Sequence, residues 1–342
     1  MLKSQEITGP PYKFLHGNTK EALNMIMGSL SKPMEHLSHD IMPKVQPHFH
    51  SWIKMYGRTV LSWHGSKPQL IITDPDLIKE VLNNKNGVYL KVKAEGFIRK
   101  LLGDGLVTSE GKKWAKQRKL ANHAFHAENL KRMIPVMLTS LEMMLERWTR
   151  YEGNEIDVFE EFKITTSDAI SRTAFGSSYL EGIKIFEDLT KLTALVAANS
   201  NRIRLPGSGK FVRTSDEIES DKLEHGIRES FIQIIRRREE KMKMEESNEY
   251  SCDYLGFLVK AYQDTDDNKK ISIEDMIDEC KTFYLAGHET VTSLVTWTVL
   301  LLAIHTDWQE KARMEVNELS VGNESTPDFN TIAKLKTVSF HA

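Results

Sequence analysis

Apolar residues recur at helical spacing over most of this chain, and one short region breaks the rhythm. Met133, Val136, Met137, Leu141, Met144, Leu145 and Trp148 fall on one helical face. Residues 158–175 predict a second helix, stopped by Gly176, and residues 180–198 a third, closed by Asn199-Ser200-Asn201. A loop with Pro206, Gly207 and Gly209 leads to a long charged helix over about 218–246, then a short one over 253–262. Ser272 is placed to cap a helix running to about residue 303, with Glu274 and Asp275 complementing its N-terminal dipole. His305-Thr306-Asp307 breaks that helix, and residues 308–319 form the next.

The exception lies near the start. Residues 59–63 and 69–73 are apolar and β-branched, and the turn-rich His64-Gly65-Ser66-Lys67-Pro68 between them predicts a hairpin. Asp74-Pro75-Asp76 then opens a short helix, with Leu77, Ile78, Val81 and Leu82 as its expected buried face. The first fifty residues are loosely patterned, and Gly9-Pro10-Pro11 enforces an extended start. The expected fold is mainly α with a small β-rich lobe: one domain over 1–342, the lobe at about 50–92 and a helical body at about 110–342.

Composition narrows the function classes. A formal net charge of -2 over 342 residues gives no nucleic-acid signature, and the mixed-sign run at 236–241 reads as a solvated helix face. Two cysteines, Cys252 and Cys280, are too few for a disulfide framework. No run of about 18 apolar residues occurs, so no membrane-crossing helix is expected, and the N-terminus carries no signal-peptide core. The acidic stretch 264–268 lacks calcium-loop spacing.

Two constellations carry chemistry. Ala286-Gly287-His288-Glu289-Thr290 sets an acid and a hydroxyl in an apolar helix, where polar groups without use cost stability. Ala286 and Thr290 share a face and leave room for a flat ligand or a diatomic. The Thr290 hydroxyl can compete for the Ala286 carbonyl and open the helix locally, and Glu289 can relay protons there. The plainer alternative is packing: Gly287 easing helix contact, Thr290 back-bonded and Glu289 salt-bridged. A zinc-protease reading fails, because the second histidine of His-Glu-x-x-His would fall at Thr292. In the second constellation, Trp114 and Arg118 stand at i and i+4, both pure donors suited to a carboxylate. A surface cation-π or packing pair is the plainer account of them.

Together these motifs resemble the cytochrome P-450 superfamily of haem-thiolate monooxygenases. Residues 286–290 resemble its oxygen-activation motif, and Trp114-x-x-x-Arg118 its helix that holds the haem propionates. The order of elements also agrees, and Gly9-Pro10-Pro11-Tyr12 and residues 297–302 are similar to the plant clan oxidising terpenoids, steroid hormones and fatty acids. Gln117 stands where that clan often has His, and Thr306 where Pro is common.

The resemblance implies haem as cofactor, a hydrophobic small-molecule substrate, and electrons from a membrane-bound NADPH reductase. It implies the cytosolic face of the endoplasmic reticulum membrane for full-length members. Glu289 and Thr290 become the expected catalytic pair, Trp114, Arg118, Ala286 and Gly287 the expected haem contacts, and residues 97–106 and 203–211 the expected cavity border. No metal ligand is expected here. The family's Cys loop and Glu-x-x-Arg pair do not occur, and neither Cys252 nor Cys280 has glycine-rich surroundings. The family's membrane anchor is likewise not found. The 342 residues are therefore expected to be inactive alone, cytosolic or unstable, and to expose apolar surface. The alternative is a non-catalytic binding module.

Overall fold

The computed structural model describes residues 7–34, 36–84, 87–200, 213–244, 253–320, 327 and 329–339. They belong to two compact units: Met1–Lys91 with Leu195–Glu217, and Val92–Ala194 with Ile218–Ala342.

The first unit holds α1 (Thr19–Leu30), α2 (Met42–Val45), α3 (Pro47–Tyr56), the strands β1 (Thr59–His64) and β2 (Lys67–Ile72), and α4 (Pro75–Leu82). The strands pair antiparallel, with Thr59 opposite Ile72 and His64 opposite Lys67. The turn is therefore only Gly65-Ser66, with Gly65 at φ 58°, and Pro68 lies inside the second strand. The extended start is held by this hairpin: Thr8 bridges to Val60, and Asn18 accepts from the Trp63 amide at 3.0 Å while its own amide donates to the Trp63 carbonyl at 2.7 Å. Asp74 caps α4 as expected, accepting from the Asp76 and Leu77 amides.

Two expectations fail in this unit. The loosely patterned first fifty residues contain helices; α1 has apolar residues at Leu23, Ile26, Met27 and Leu30, yet buries only Thr19. The apolar side of α4 is not buried: Leu77, Ile78 and Leu82 are exposed. An amphipathic pattern reports a face able to pack, and burial also needs a neighbour.

The second unit is helical: α5 (Gly96–Leu102), α6 (Gly111–Ala124), α7 (Ala127–Thr149), α8 (Val158–Phe175), α9 (Tyr179–Asn199), α10 (Ser215–Met244), α11 (Tyr254–Gln263), α12 (Ile273–Ile304), α13 (Thr306–Ser320), α14 (Phe329–Ile332) and α15 (Lys336–Ser339). The α8 bounds are those expected. Asp157 caps its start by accepting from the Phe159 and Glu160 amides, and Gly176 ends it at φ 53° in the left-handed region. Of the α7 stripe only Met133 and Met144 are buried, while Met137, Leu141 and Leu145 are exposed.

The core gathers Leu189 and Leu192 of α9, Ile227 and Phe231 of α10, Leu255 and Leu258 of α11, and Met276 and Tyr284 of α12. Each such side chain contributes roughly 1.5–3 kcal/mol on burial. Polar ties fix the register. Asp168 of α8 accepts from Ser140 of α7 at 2.7 Å and from the Tyr179 amide at 2.9 Å, and pairs with Arg172 at 2.6 Å. Arg238 of α10, buried, donates to the Phe175 carbonyl at 2.6 Å and to Asp253 at 2.7 Å.

Candidate functional site

The helix carrying residues 286–290 begins with a capping box: Ser272 accepts from the Asp275 amide, and Asp275 accepts from the Ser272 amide. Its buried face repeats every fourth residue, at Met276, Cys280, Tyr284, His288 and Thr292. Tyr284 sits among Phe175, Phe186 and Phe231, with ring centroids 4.4, 5.0 and 5.1 Å away. The C-terminal half of this helix is not interior. Leu294, Trp297, Leu300 and Ile304 are exposed, in line with the expected apolar surface. By length and mean hydropathy alone, α12 is the one described helix in the membrane-crossing range. It nevertheless buries Glu279, Lys281 and His288 among its neighbours.

The five-residue motif divides between two faces. Gly287 turns to α8, where an added Cβ would lie 2.5 Å from Ile170 Cγ1. His288 is buried; its Nδ1–H donates to the Tyr284 carbonyl at 2.6 Å, and its ring meets Phe186 edge-on at 4.9 Å. Burial lowers its pKa and so favours the neutral ring, and Nε2 has no partner among the described residues. Ala286 and Thr290 lie exposed on another side, and the Thr290 hydroxyl donates to the Ala286 carbonyl at 2.7 Å. Glu289 is half-buried and makes no ion pair or hydrogen bond among the described residues. The expected hydroxyl bond is present, but α12 continues as α-helix through it. Thr292, Thr296 and Thr298 make the same bond one turn back, so the bond alone is not distinctive.

Trp114 and Arg118 are both exposed on α6. The Arg118 guanidinium makes no hydrogen bond or ion pair among the described residues, and so is available to an anion. Gln117 between them is buried. It accepts from the Ser109 hydroxyl and donates to the Asp104 carbonyl at 3.3 Å. Of the expected cavity border, Phe97 and Leu101 are buried in α5, while residues 203–211 lie outside the described residues. Cys252 also lies outside them.

Sequence reasoning missed a cluster at the start of α12. Glu279 is fully buried and accepts from the Tyr254 hydroxyl, and burial raises its pKa to about 6. Asp278, its pKa also raised by burial, accepts from the Asp104 amide at 2.8 Å. The available signal was the charged run Asp278-Glu279-Cys280-Lys281 on the face that also carries the apolar Met276 and Tyr284. Cys280 itself is fully buried, and burial pushes its thiol well above the usual range. Among the described residues, no three His, Cys, Asp or Glu side chains gather as a metal site.

The Cytochrome P450 family profile matches residues 34–339. The chain belongs to the cytochrome P450 family. Similar P450s include Cytochrome P450 CYP749A22 of Panax ginseng, 52% identical over 340 residues, covering 99% of this chain and 64% of that protein. Cytochrome P450 734A1 of Arabidopsis thaliana is 40% identical over 346 residues, covering 99% and 64%. The solved cyanobacterial P450 CYP120A1, bound to retinoic acid, superposes with a TM-score of 0.69 at 21% identity, covering 96% of this chain and 66% of that one. The mainly helical P450 fold with its small hairpin is thus established. The chain spans a little under two thirds of the length of these P450s.

Proposed function

We propose that this chain forms the oxygen-side and propionate-holding part of a haem-dependent monooxygenase that oxidises a hydrophobic small molecule, with electrons from an NADPH reductase. Both compact units are read as parts of one P450 domain. The observation that carries the proposal is the uncommitted Glu289 beside the exposed Ala286–Thr290 pair, in a chain of this family. The donor set fits haem on two counts. Ala286 leaves open space beside Thr290, and Arg118 is an unpaired guanidinium one turn from Trp114, matched to a propionate carboxylate. Haem, when bound, supplies the oxygen chemistry.

The chain's own part is binding and proton handling. Arg118 and Trp114 hold and orient carboxylates by N–H donation. The Thr290 hydroxyl, now donating to the Ala286 carbonyl, can rotate and donate outward at the cost of one hydrogen bond, about 0.5–1.5 kcal/mol. Glu289 then passes a proton toward Oγ1 of Thr290. Ala286 keeps the approach to that oxygen open, and a bulkier residue would close it. The buried, unionised thiol of Cys280 is unsuited to ligate iron. The cyanobacterial P450 of the same fold is bound to retinoic acid, itself a hydrophobic small molecule. Association with the endoplasmic reticulum membrane belongs to this proposal.

Haemin titration of the purified chain, followed by Soret absorbance, tests it. Arg118→Ala weakens binding about tenfold, equivalent to about 1.4 kcal/mol, and Lys112→Ala does not. Equal affinity of wild type and Arg118→Ala would overturn the assignment.

A further inference from the structure

The segment 103–110, between α5 and α6, is pressed onto the start of α12 by more than ordinary loop contacts. A Cβ at Gly103 would collide with the Asp278 carboxylate, and one at Gly105 would lie 2.6 Å from the Thr282 hydroxyl. The Asp104 amide donates to Asp278 at 2.8 Å. The Leu106 amide faces the carboxylate of Glu279, which is fully buried and also takes the Tyr254 hydroxyl of α11. The segment is tied equally firmly to α6. Gln117 bonds Ser109 and the Asp104 carbonyl, and Lys113 bridges Asp104 at 2.8 Å and Asp275 at 2.6 Å.

A buried carboxylate is costly, and Glu279 Oε1 has no hydrogen-bond partner among the described residues. Its visible services are to take the Tyr254 hydroxyl of α11 and to hold this segment. We propose that Glu279 is a positioning residue: it latches the 103–110 segment onto α12 and, through Gln117, fixes α6 and the exposed pair Trp114 and Arg118. The significance of that pair rests on the haem reading above; the latch itself does not.

The latch is proton-sensitive. Glu279 is faced by Tyr254 from α11, by Lys113 from α6, and by Asp278 and Cys280 on its own helix, with Lys281 behind Asp278 at 3.5 Å. Burial dominates and lifts its pKa from 4.5 to about 6. Opening the segment wets the carboxylate and returns it toward 4.5. The closed form therefore binds the proton more tightly and is favoured at low pH; closure weakens as pH rises through 4.5 to 6. A shift of this size corresponds to a change of about 30-fold at most in the closing equilibrium.

Hydrogen exchange of the full 342-residue chain, without haem and corrected for intrinsic pH dependence, provides the test. In wild type, protection of 103–110 falls by up to about 30-fold from pH 4 to pH 7. Glu279→Gln keeps the segment closed and removes the Glu279 part of that dependence, leaving only what the burial-raised Asp278 contributes. Glu279→Ala exposes both 103–110 and 111–124 at least tenfold at every pH, while α10 keeps its protection. Gln117→Ala exposes 111–124 alone. An undiminished pH dependence in Glu279→Gln, or unchanged exchange of 111–124 in Glu279→Ala, would overturn the proposal. If Glu279→Ala does not fold, Tyr254→Phe replaces it: faster exchange of 103–110 supports the latch and unchanged exchange overturns it. Because the measurement needs no haem, its failure is separate from that of the haemin titration.

Discussion

Replacing Gly287 with alanine tests whether the motif's glycine serves the contact between α8 and α12. The added methyl would lie 2.5 Å from Ile170 Cγ1 and 2.7 Å from Cδ1, well inside carbon–carbon contact. Overpacking of this kind costs about 1–3 kcal/mol. Alanine also gains about 0.8–1.0 kcal/mol of helix propensity over glycine. The opposing terms leave a net loss of up to about 2 kcal/mol. Ile170→Ala removes both clashing atoms and leaves only the Ile170 Cβ position, at 3.2 Å. In that background Gly287→Ala keeps its propensity gain and loses most of its penalty, so its effect falls to near zero or becomes stabilising. Urea unfolding of the four proteins at constant m-value gives the coupling, expected at about 1–2 kcal/mol. Equal effects of Gly287→Ala in both backgrounds would refute the close-approach account.

Three further outcomes follow from the polar ties and the cysteine. Arg238→Ala strands the Phe175 carbonyl and the Asp253 carboxylate and should cost about 3–5 kcal/mol in urea unfolding, with Asp253→Asn added to it recovering part of the loss. Burial raises the Asp168 pKa, but the Tyr179 amide, Arg172 and Ser140 outweigh it, so the folded value is lowered. Its stabilisation is therefore present above pH 3.8 and is lost as pH falls through the lowered value. Asp168→Asn should cost about 1.5–3 kcal/mol at pH 7, with the gap to wild type closing below pH 3.8. Reduced, haem-loaded chain exposed to carbon monoxide should lack the spectral band of thiolate ligation; the appearance of that band would reverse the reading of Cys280.

Elements whose ends are set by local chemistry were legible in the sequence. Asp157 and Gly176 bound α8 because a capping carboxylate and a left-handed glycine act within a few residues. Ser272 and the hairpin at Gly65-Ser66 are read for the same reason. Features that depend on a distant partner were not legible. Leu77 and Leu82 form a proper stripe on α4, yet no pattern within α4 reports that this side stays exposed. Nothing local marks Glu279 as buried, because its partner Tyr254 lies 25 residues away. Gln117 stood out only as a departure from the plant clan's usual histidine, whereas the structure makes it the tie between α6 and the preceding segment.

Residues 286–290 combine two devices on one helix. Gly287 and His288 continue the face that seats α12 on α8 and α9, one by lacking a side chain and the other by filling space beside Phe186. Packing accounts for Gly287, and for His288 as far as its ring and its bond to the Tyr284 carbonyl, which leaves the buried Nε2 without a partner among the described residues. Ala286, Glu289 and Thr290 are different. The threonine back-bond recurs along α12, so the hydroxyl bond does not single out Thr290. Its setting does. Thr298 has the same exposure and the same bond, but its carbonyl partner is Leu294, a bulky residue, with Trp297 adjacent in sequence. Thr290 has Ala286 one turn back and an unpaired carboxylate beside it in sequence. A small residue, a hydroxyl that can turn outward and an uncommitted acid occur together on α12 only at this turn.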